Sequence, residues 1–262
     1  MNSDKHPWPP HYFKLIDDYF LPNGLSRSPW SREAVAGGPV SALVACGAED
    51  ESLDDRFEIA RFTLNILGKV PHAPLHMNNR VIHDGRQTKL HRVTLTSNGT
   101  SVAEATVLRV RRLEAPIFEI ECNYPEPAAV EDNAVTGRFT MAGAIGCRVV
   151  LGDPSTPGRA AAWLSMDGEI IAGRRPSNFV KAALFADFGN GFGRATEGRD
   201  WSFANLDINL QFLRRPVSDW FLIDAETHMA GNGHGTASSI FADEKGIYAR
   251  GTQTIFVAPA RD

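Results

Sequence analysis

Asp187 stands where an apolar side chain is expected. In SNFVKAALFADFGNG, Val180, Ala183, Leu184 and Asp187 fall at i, i+3, i+4 and i+7, one face of a helix. A carboxylate on a core-facing stripe needs hydrogen-bonding partners or a wet cleft. This one also falls near the helix C-terminus, where the macrodipole opposes negative charge. Both influences favour the neutral acid and raise its pKa, which suits a general base or a group that holds a water. The alternative is a side chain that turns to solvent or bonds a backbone N–H in the FGNG turn. Gln253 lies in the strand-like GTQTIFV, on the same face as Ile255 and Val257. An amide among inward-facing apolar residues must be hydrogen-bonded, to a water, to a substrate carbonyl or to the protein itself. Asn205 shares one face of its strand with Asp207, Asn209 and Gln211. Such a row either meets solvent or lines a cleft between two units.

Other spacings carry less. GNGFG (189–193) and GNGHG (231–235) look like phosphate loops. A dinucleotide fingerprint needs a strand before it and a helix after it. The first follows a helix and the second precedes a strand-like run, so both read as turns. His72 and His76 are four apart, but Pro74 between them breaks any shared helical face. Scattered histidines without a cysteine pair form no zinc site. No GxSxG elbow is present, so a hydrolase serine on a strained turn is not supported.

Two similar sets of elements must position the polar residues. GGPVSALVACGAED carries Val40, Leu43, Val44 and Gly47 at the same helical spacing, so Gly47 is the first-half partner of Asp187. Pro39 suits a first helical turn, Ser177 suits an N-cap, and Gly189 and Gly191 suit a helix stop. After each helix comes a strand-like run ending at Pro71 or Pro216, a turn at Gly85 or Gly233, and a second turn at Asn98-Gly99 or Lys245-Gly246. The offsets between the halves are nearly constant, the mark of an internal duplication. Each half thus predicts one helix followed by about four antiparallel strands. Between them, 113–135 reads as a surface linker in which Ile117, Phe118 and Ile120 suggest packing. Phe139 to Ala172 predicts two or three strands opening the second unit, with DPSTPG as a hairpin turn.

The composition is that of a globular protein. The chain has 262 residues, 43% hydrophobic and 22% charged, with a formal charge of −4. Mild acidity argues against duplex nucleic acid as a partner. No apolar run reaches the roughly 20 residues that cross a membrane. MNSDKHPWPP lacks a signal-peptide stretch, and Cys46, Cys122 and Cys147 form no disulfide framework. A cytoplasmic location is the expectation.

The ordered set GGPVSALVACGAE, VIHDGRQTKLHRVTL, LFADFGNG, NLDINLQFLRRP, DWFLIDAE and YARGTQTIFV resembles the acyl-CoA thioesterase II family. It covers roughly residues 25–112 and 170–257. The resemblance implies an α+β double hotdog: two tandem units, each an antiparallel β-sheet wrapped around a central α-helix. The N-terminal unit would span 1–112, the linker 113–135 and the C-terminal unit 136–262. The family's catalytic Asp, Thr and Gln fall on Asp187, Asn205 and Gln253. Asn205 replaces the Thr; it can exchange hydrogen bonds but supplies no hydroxyl. The implied reaction is hydrolysis of an acyl-CoA thioester by a positioned water, without metal or cofactor. Backbone N–H groups around Gly37 and Gly38 would stabilise the oxyanion. Arg86, Arg214 and Arg215 would meet the phosphates of coenzyme A. The alternative is a non-catalytic acyl-CoA or acyl-carrier binding protein. A hotdog hydratase or dehydratase would need a histidine beside Asp187, which the second half does not offer there. A small-molecule acyl-CoA partner, no membrane and a homo-oligomer complete the expectations.

Overall fold

The computed structural model describes residues 10–50, 55–118, 123–131, 144–197 and 200–260. The first half contributes helix α1 (Gly37–Asp50) and strands β3 (Phe57–Ile66), β4 (Leu75–Asp84), β5 (Thr88–Ser97) and β6 (Thr100–Arg111). The second contributes α2 (Asn178–Phe185), β11 (Asp207–Phe212), β12 (Phe221–Met229), β13 (His234–Asp243) and β14 (Gly246–Pro259). The expected duplication is therefore present, helix first and four strands after. Asn98 and Gly99 both have positive φ, 48° and 77°, and join Ser97 directly to Thr100. That is the two-residue turn whose twist matches paired strands.

Further strands are β1 (His11–Ile16), β2 (Tyr19–Pro22), β7 (Ile145–Leu151), β8 (Ala160–Met166), β9 (Glu169–Ile171) and β10 (Trp201–Asn205). All strands share one sheet, in the order β7-β8-β12-β13-β14-β11-β3-β6-β5-β4-β2-β1-β9, with β10 pairing β14. The halves meet at the antiparallel seam of β11 and β3, where Asp207 faces Asn65 and Gln211 faces Arg61. Outward from that seam the order repeats, β14-β13-β12 on one side and β6-β5-β4 on the other. The architecture is the double hotdog. Both helices are buried on nearly every side, because each lies between the sheet and the other helix. In α1, Ala42, Ala45 and Ala48 are as buried as the expected stripe. Among the described residues no helix is long and apolar enough to cross a membrane.

Three expectations need correction. Gly189 and Gly191 do not stop the second helix. After Phe185 the chain makes one 3-10 turn, Ala186–Phe188, and a further helical turn α3 (Gly189–Phe192), and it breaks at Gly193. Strand β9 (Glu169–Ile171), expected to open the second unit, runs parallel to β1 (His11–Ile16) at the first-half end of the sheet. Strands β1 and β2 (Tyr19–Pro22) had no counterpart in the sequence reading. Finally, Ile117 and Phe118 are 84% and 92% exposed instead of packed; Ile120 lies outside the described residues. The linker is tied down further on. There the Tyr124 hydroxyl donates to Asp224, and the Trp163 indole N–H donates to the Pro125 carbonyl at 2.8 Å. The expected hairpin across DPSTPG forms from β7 (Ile145–Leu151) and β8 (Ala160–Met166).

Candidate active site

The end of each central helix meets the start of the other. At one junction Glu49, near the end of α1, accepts a hydrogen bond of 2.7 Å from the hydroxyl of Ser177, the N-cap of α2. At the other junction Asp187, in the 3-10 turn after α2, meets the first turn of α1, and the Gly38 backbone N–H donates to its carboxylate. A side chain at Gly37 would overlap Asp187 Oδ1, so a glycine is required for the approach.

Two amides converge on Asp187. Asn205 Nδ2 donates to Oδ1 at 2.7 Å and to the Asp187 backbone carbonyl at 2.9 Å. Gln253 Nε2 donates to the same carbonyl at 3.1 Å, and its Oε1 accepts from the Asn190 N–H at 3.2 Å. Gln253 is buried and both ends of its amide are spent on the backbone of 187–190. Burial holds the Asp187 carboxyl above the usual carboxylate range, against the opposing pull of Asn205 and the Gly38 N–H. The sequence placed this group at a helix C-terminus. The structure adds the positive N-terminal end of α1, which favours the anion.

The seam of the sheet places Asn205. It ends β10 opposite Ile255 of β14, and Leu206 then carries the chain into β11. The Leu206 N–H bonds the Thr254 carbonyl at 2.8 Å, and its carbonyl accepts from the Ile66 N–H of the first half at 2.8 Å. Asp207 locks the junction: its Oδ1 accepts from the Thr254 N–H at 3.0 Å and from Asn209 Nδ2 at 2.9 Å. Asp207 and Asn209 therefore hold the strand junction as well as sharing its face.

Asp187 and Asn205 open into a cavity of about 470 Å³ between the halves. Its walls come from residues 28–37 and 66–70 of the first half and from 187–194 and 203–206 of the second. Most are apolar, as a site for an acyl chain requires. Gly37 lines the cavity, whereas Gln253 lies behind its wall. Arg86, Arg214 and Arg215 line no part of it. Arg214 instead forms a two-pronged pair with buried Asp243, at 2.6 and 2.8 Å, and Arg215 pairs with Glu58 at 3.0 Å. Arg86 edges a separate depression with Arg56, Lys89 and Arg111.

Among the lining residues that escaped the sequence reading are Lys69, Asn190 and Arg194. Arg194 lies beyond the break at Gly193, while Asn190 follows Asp187 at i+3 in the helical turn past Gly189. Taking Gly189 as a helix stop concealed Asn190. Among the described residues the first half shows no such site. At Gly47, the counterpart of Asp187, an added Cβ would overlap the Met77 sulfur, and Asn79 Nδ2 donates to the Gly47 carbonyl at 2.8 Å. A thioether thus fills the space beside Gly47, which carries no carboxylate.

Known proteins share this fold. The model of the acyl-CoA thioesterase N-terminal domain matches residues 26–110, and that of the C-terminal domain matches 122–257. Among curated proteins none matches the sequence significantly. A tesB protein of Mycobacterium avium subspecies paratuberculosis superposes with a TM-score of 0.70 at 17% identity, over 94% of this chain and 96% of its own. The acyl-CoA thioesterase II TesB2 of Mycobacterium marinum gives 0.68 at 16% identity, over 94% of both chains. A hot dog fold protein of unknown function from Alicyclobacillus acidocaldarius gives 0.74 at 14% identity, over 95% of this chain and 96% of its own. At these identities the structural likeness speaks for the fold alone.

Proposed function

The chain belongs to the acyl-CoA thioesterase family, and on that footing we propose that it hydrolyses an acyl-CoA thioester in the cavity beside Asp187. The observation that carries this reading is one carboxylate. Asp187 is half-buried in a largely apolar cavity, its acidity weakened by burial and its orientation set by Asn205. Such a group takes a proton from water more readily than an exposed aspartate does.

The acyl chain lies against the apolar walls, with its thioester carbonyl near Asp187. A water bound to the carboxylate attacks the carbonyl carbon and passes a proton to Asp187. The Gly37 N–H, in the cavity wall at the start of α1, donates to the oxyanion. The tetrahedral intermediate collapses with cleavage of the C–S bond. The proton held by Asp187 passes to the departing sulfur, leaving a carboxylic acid and free coenzyme A thiol. Asn205 keeps the carboxylate aimed at the water. Gln253 acts as a positioning residue through the backbone of 187–190, and Gly38 serves Asp187.

Release of free thiol from short-, medium- and long-chain acyl-CoAs tests the reading. Turnover of at least one chain length is expected. Binding of acyl-CoA with no thiol released at any length would overturn it and favour a binding protein. The lack of a hydroxyl at Asn205 is the feature that keeps that second reading in view.

A further inference from the structure

Positive charge collects at the far end of strand β3 from the cavity. Ile66, at one end of that strand, lines the cavity, and Phe57, at the other, lines a separate depression of about 450 Å³. At about 3.3 Å per residue the two lie on the order of 30 Å apart. Among the described residues around the depression, Arg56, Arg86, Lys89 and Arg111 stand against one carboxylate, Asp84. The whole chain carries a formal charge of −4, so this concentration runs against its composition.

Strand pairing builds the cluster. Phe57 of β3 lies opposite Arg111 of β6, and Lys89 of β5 lies opposite Arg109, two residues earlier on the same face. The β4–β5 turn adds Asp84 and Arg86. It is tied to the end of β6 by the Arg111 N–H, which donates to the Gln87 carbonyl at 2.9 Å. Like charges directly opposite one another on neighbouring strands destabilise a sheet. Lys89 finds relief from Asp84 at 2.9 Å and from the Phe57 ring, 4.8 Å from its centroid. The buried Arg109 donates to the Ala48 carbonyl. Arg86 and Arg111 make no ion pair with any described residue. A concave group of charges of one sign focuses its field and draws in a counter-ion.

We propose that this depression binds a small phosphorylated molecule, its phosphoryl oxygens held by Arg86, Arg111 and Lys89. Arginine forks meet phosphate oxygens two at a time. An anion of two or more charges matches the excess of cations, and about 450 Å³ is room for a small molecule rather than a simple ion. The bound anion bridges the ends of β5 and β6 and offsets the repulsion between them. Its distance from Asp187 sets the site apart from the cavity, so the assignment does not depend on the thioesterase reading.

Inorganic pyrophosphate is the probe, titrated into the full chain by calorimetry at fixed ionic strength and without divalent cations. Saturable binding and a raised melting temperature are expected. Arg86→Ala and Arg111→Ala should each weaken binding about tenfold, the worth of one charged hydrogen bond. Asp84→Asn removes the competing carboxylate and should tighten binding several-fold, a gain that no folding defect produces. Lys69→Ala, in the wall of the other cavity, should leave binding unchanged. Adenosine diphosphate as a second probe separates the sources of the phosphate. Tighter binding than pyrophosphate assigns the site to a nucleotide, and weaker or equal binding assigns it to a free inorganic anion. Either result supports the site, provided that the arginine variants carry the same penalty. Three results would overturn it: no saturable binding, binding undiminished in both arginine variants, or a loss seen only in Lys69→Ala.

Discussion

Asn205 Nδ2 reaches both the carboxylate and the backbone carbonyl of Asp187, at 2.7 and 2.9 Å. One amide thus fixes the side chain and the main chain of the residue proposed as the base. Because Asn205 stabilises the anion, its loss raises the Asp187 pKa further. Activity needs the ionised carboxylate, so the acidic limb of the kcat/KM profile should move to higher pH in Asn205→Ala. Asn205→Thr should move it less. An unmoved limb in Asn205→Ala would remove this role.

Asp187 also makes a prediction about stability. Its pKa in the folded chain lies above that of the unfolded chain, so the native state holds the proton more tightly. The contribution is full below the ordinary carboxylate pKa and is lost as pH rises through the folded value. At neutral pH the charged group is therefore a burden. Asp187→Asn should melt higher than wild type at pH 7, and the gap should shrink toward pH 4. A lower melting temperature at pH 7 would contradict this.

Gln253 makes its contacts with main chain only. Gln253→Ala leaves an amide N–H and a carbonyl without their partner, at about 1–3 kcal/mol each when buried. The melting temperature should fall, hydrogen exchange at the Asn190 amide should quicken, and kcat should fall with KM nearly unchanged. Normal exchange at Asn190 together with a lost kcat would instead place Gln253 on the water.

Asp243 is fully buried and holds Arg214 with both oxygens, and it also accepts from the Val217 and Lys245 N–H groups. These bonds keep its carboxyl below the usual range, although burial opposes them. Asp243→Ala strands a guanidinium and should cost about 3–5 kcal/mol. The pair's stabilisation is present above the ordinary carboxylate pKa and fades as pH falls through the lowered value. Chemical denaturation at pH 7 and pH 3 should show a smaller difference between wild type and variant at pH 3.

The legible parts of the fold were those written twice. The prolines at 71 and 216 and the Asn98-Gly99 turn exposed the duplication, and Asp187 stood out because its stripe is otherwise apolar. Other features depend on partners far away in the chain. Strand β9 joins β1 across more than a hundred and fifty intervening residues, a pairing that no local pattern encodes. The Arg214-Arg215 pair resembles a phosphate site until Asp243 is seen beneath it. Ile117 and Phe118 are apolar by type yet exposed, while the linker's anchors are Tyr124 and Pro125. Asn190 was hidden by glycines that normally end a helix. Here Gly189 lets Gln253 approach, and the helical path continues.

The most direct test of the central claim is the rate of thiol release by Asp187→Asn beside wild type, on whichever acyl-CoA the wild type turns over fastest. Asparagine preserves the shape and cannot take a proton. A loss of about 10²–10⁴ in kcat is expected, the usual worth of a general base, with an intact fold and undiminished acyl-CoA binding. A variant that hydrolyses at the wild-type rate would contradict it.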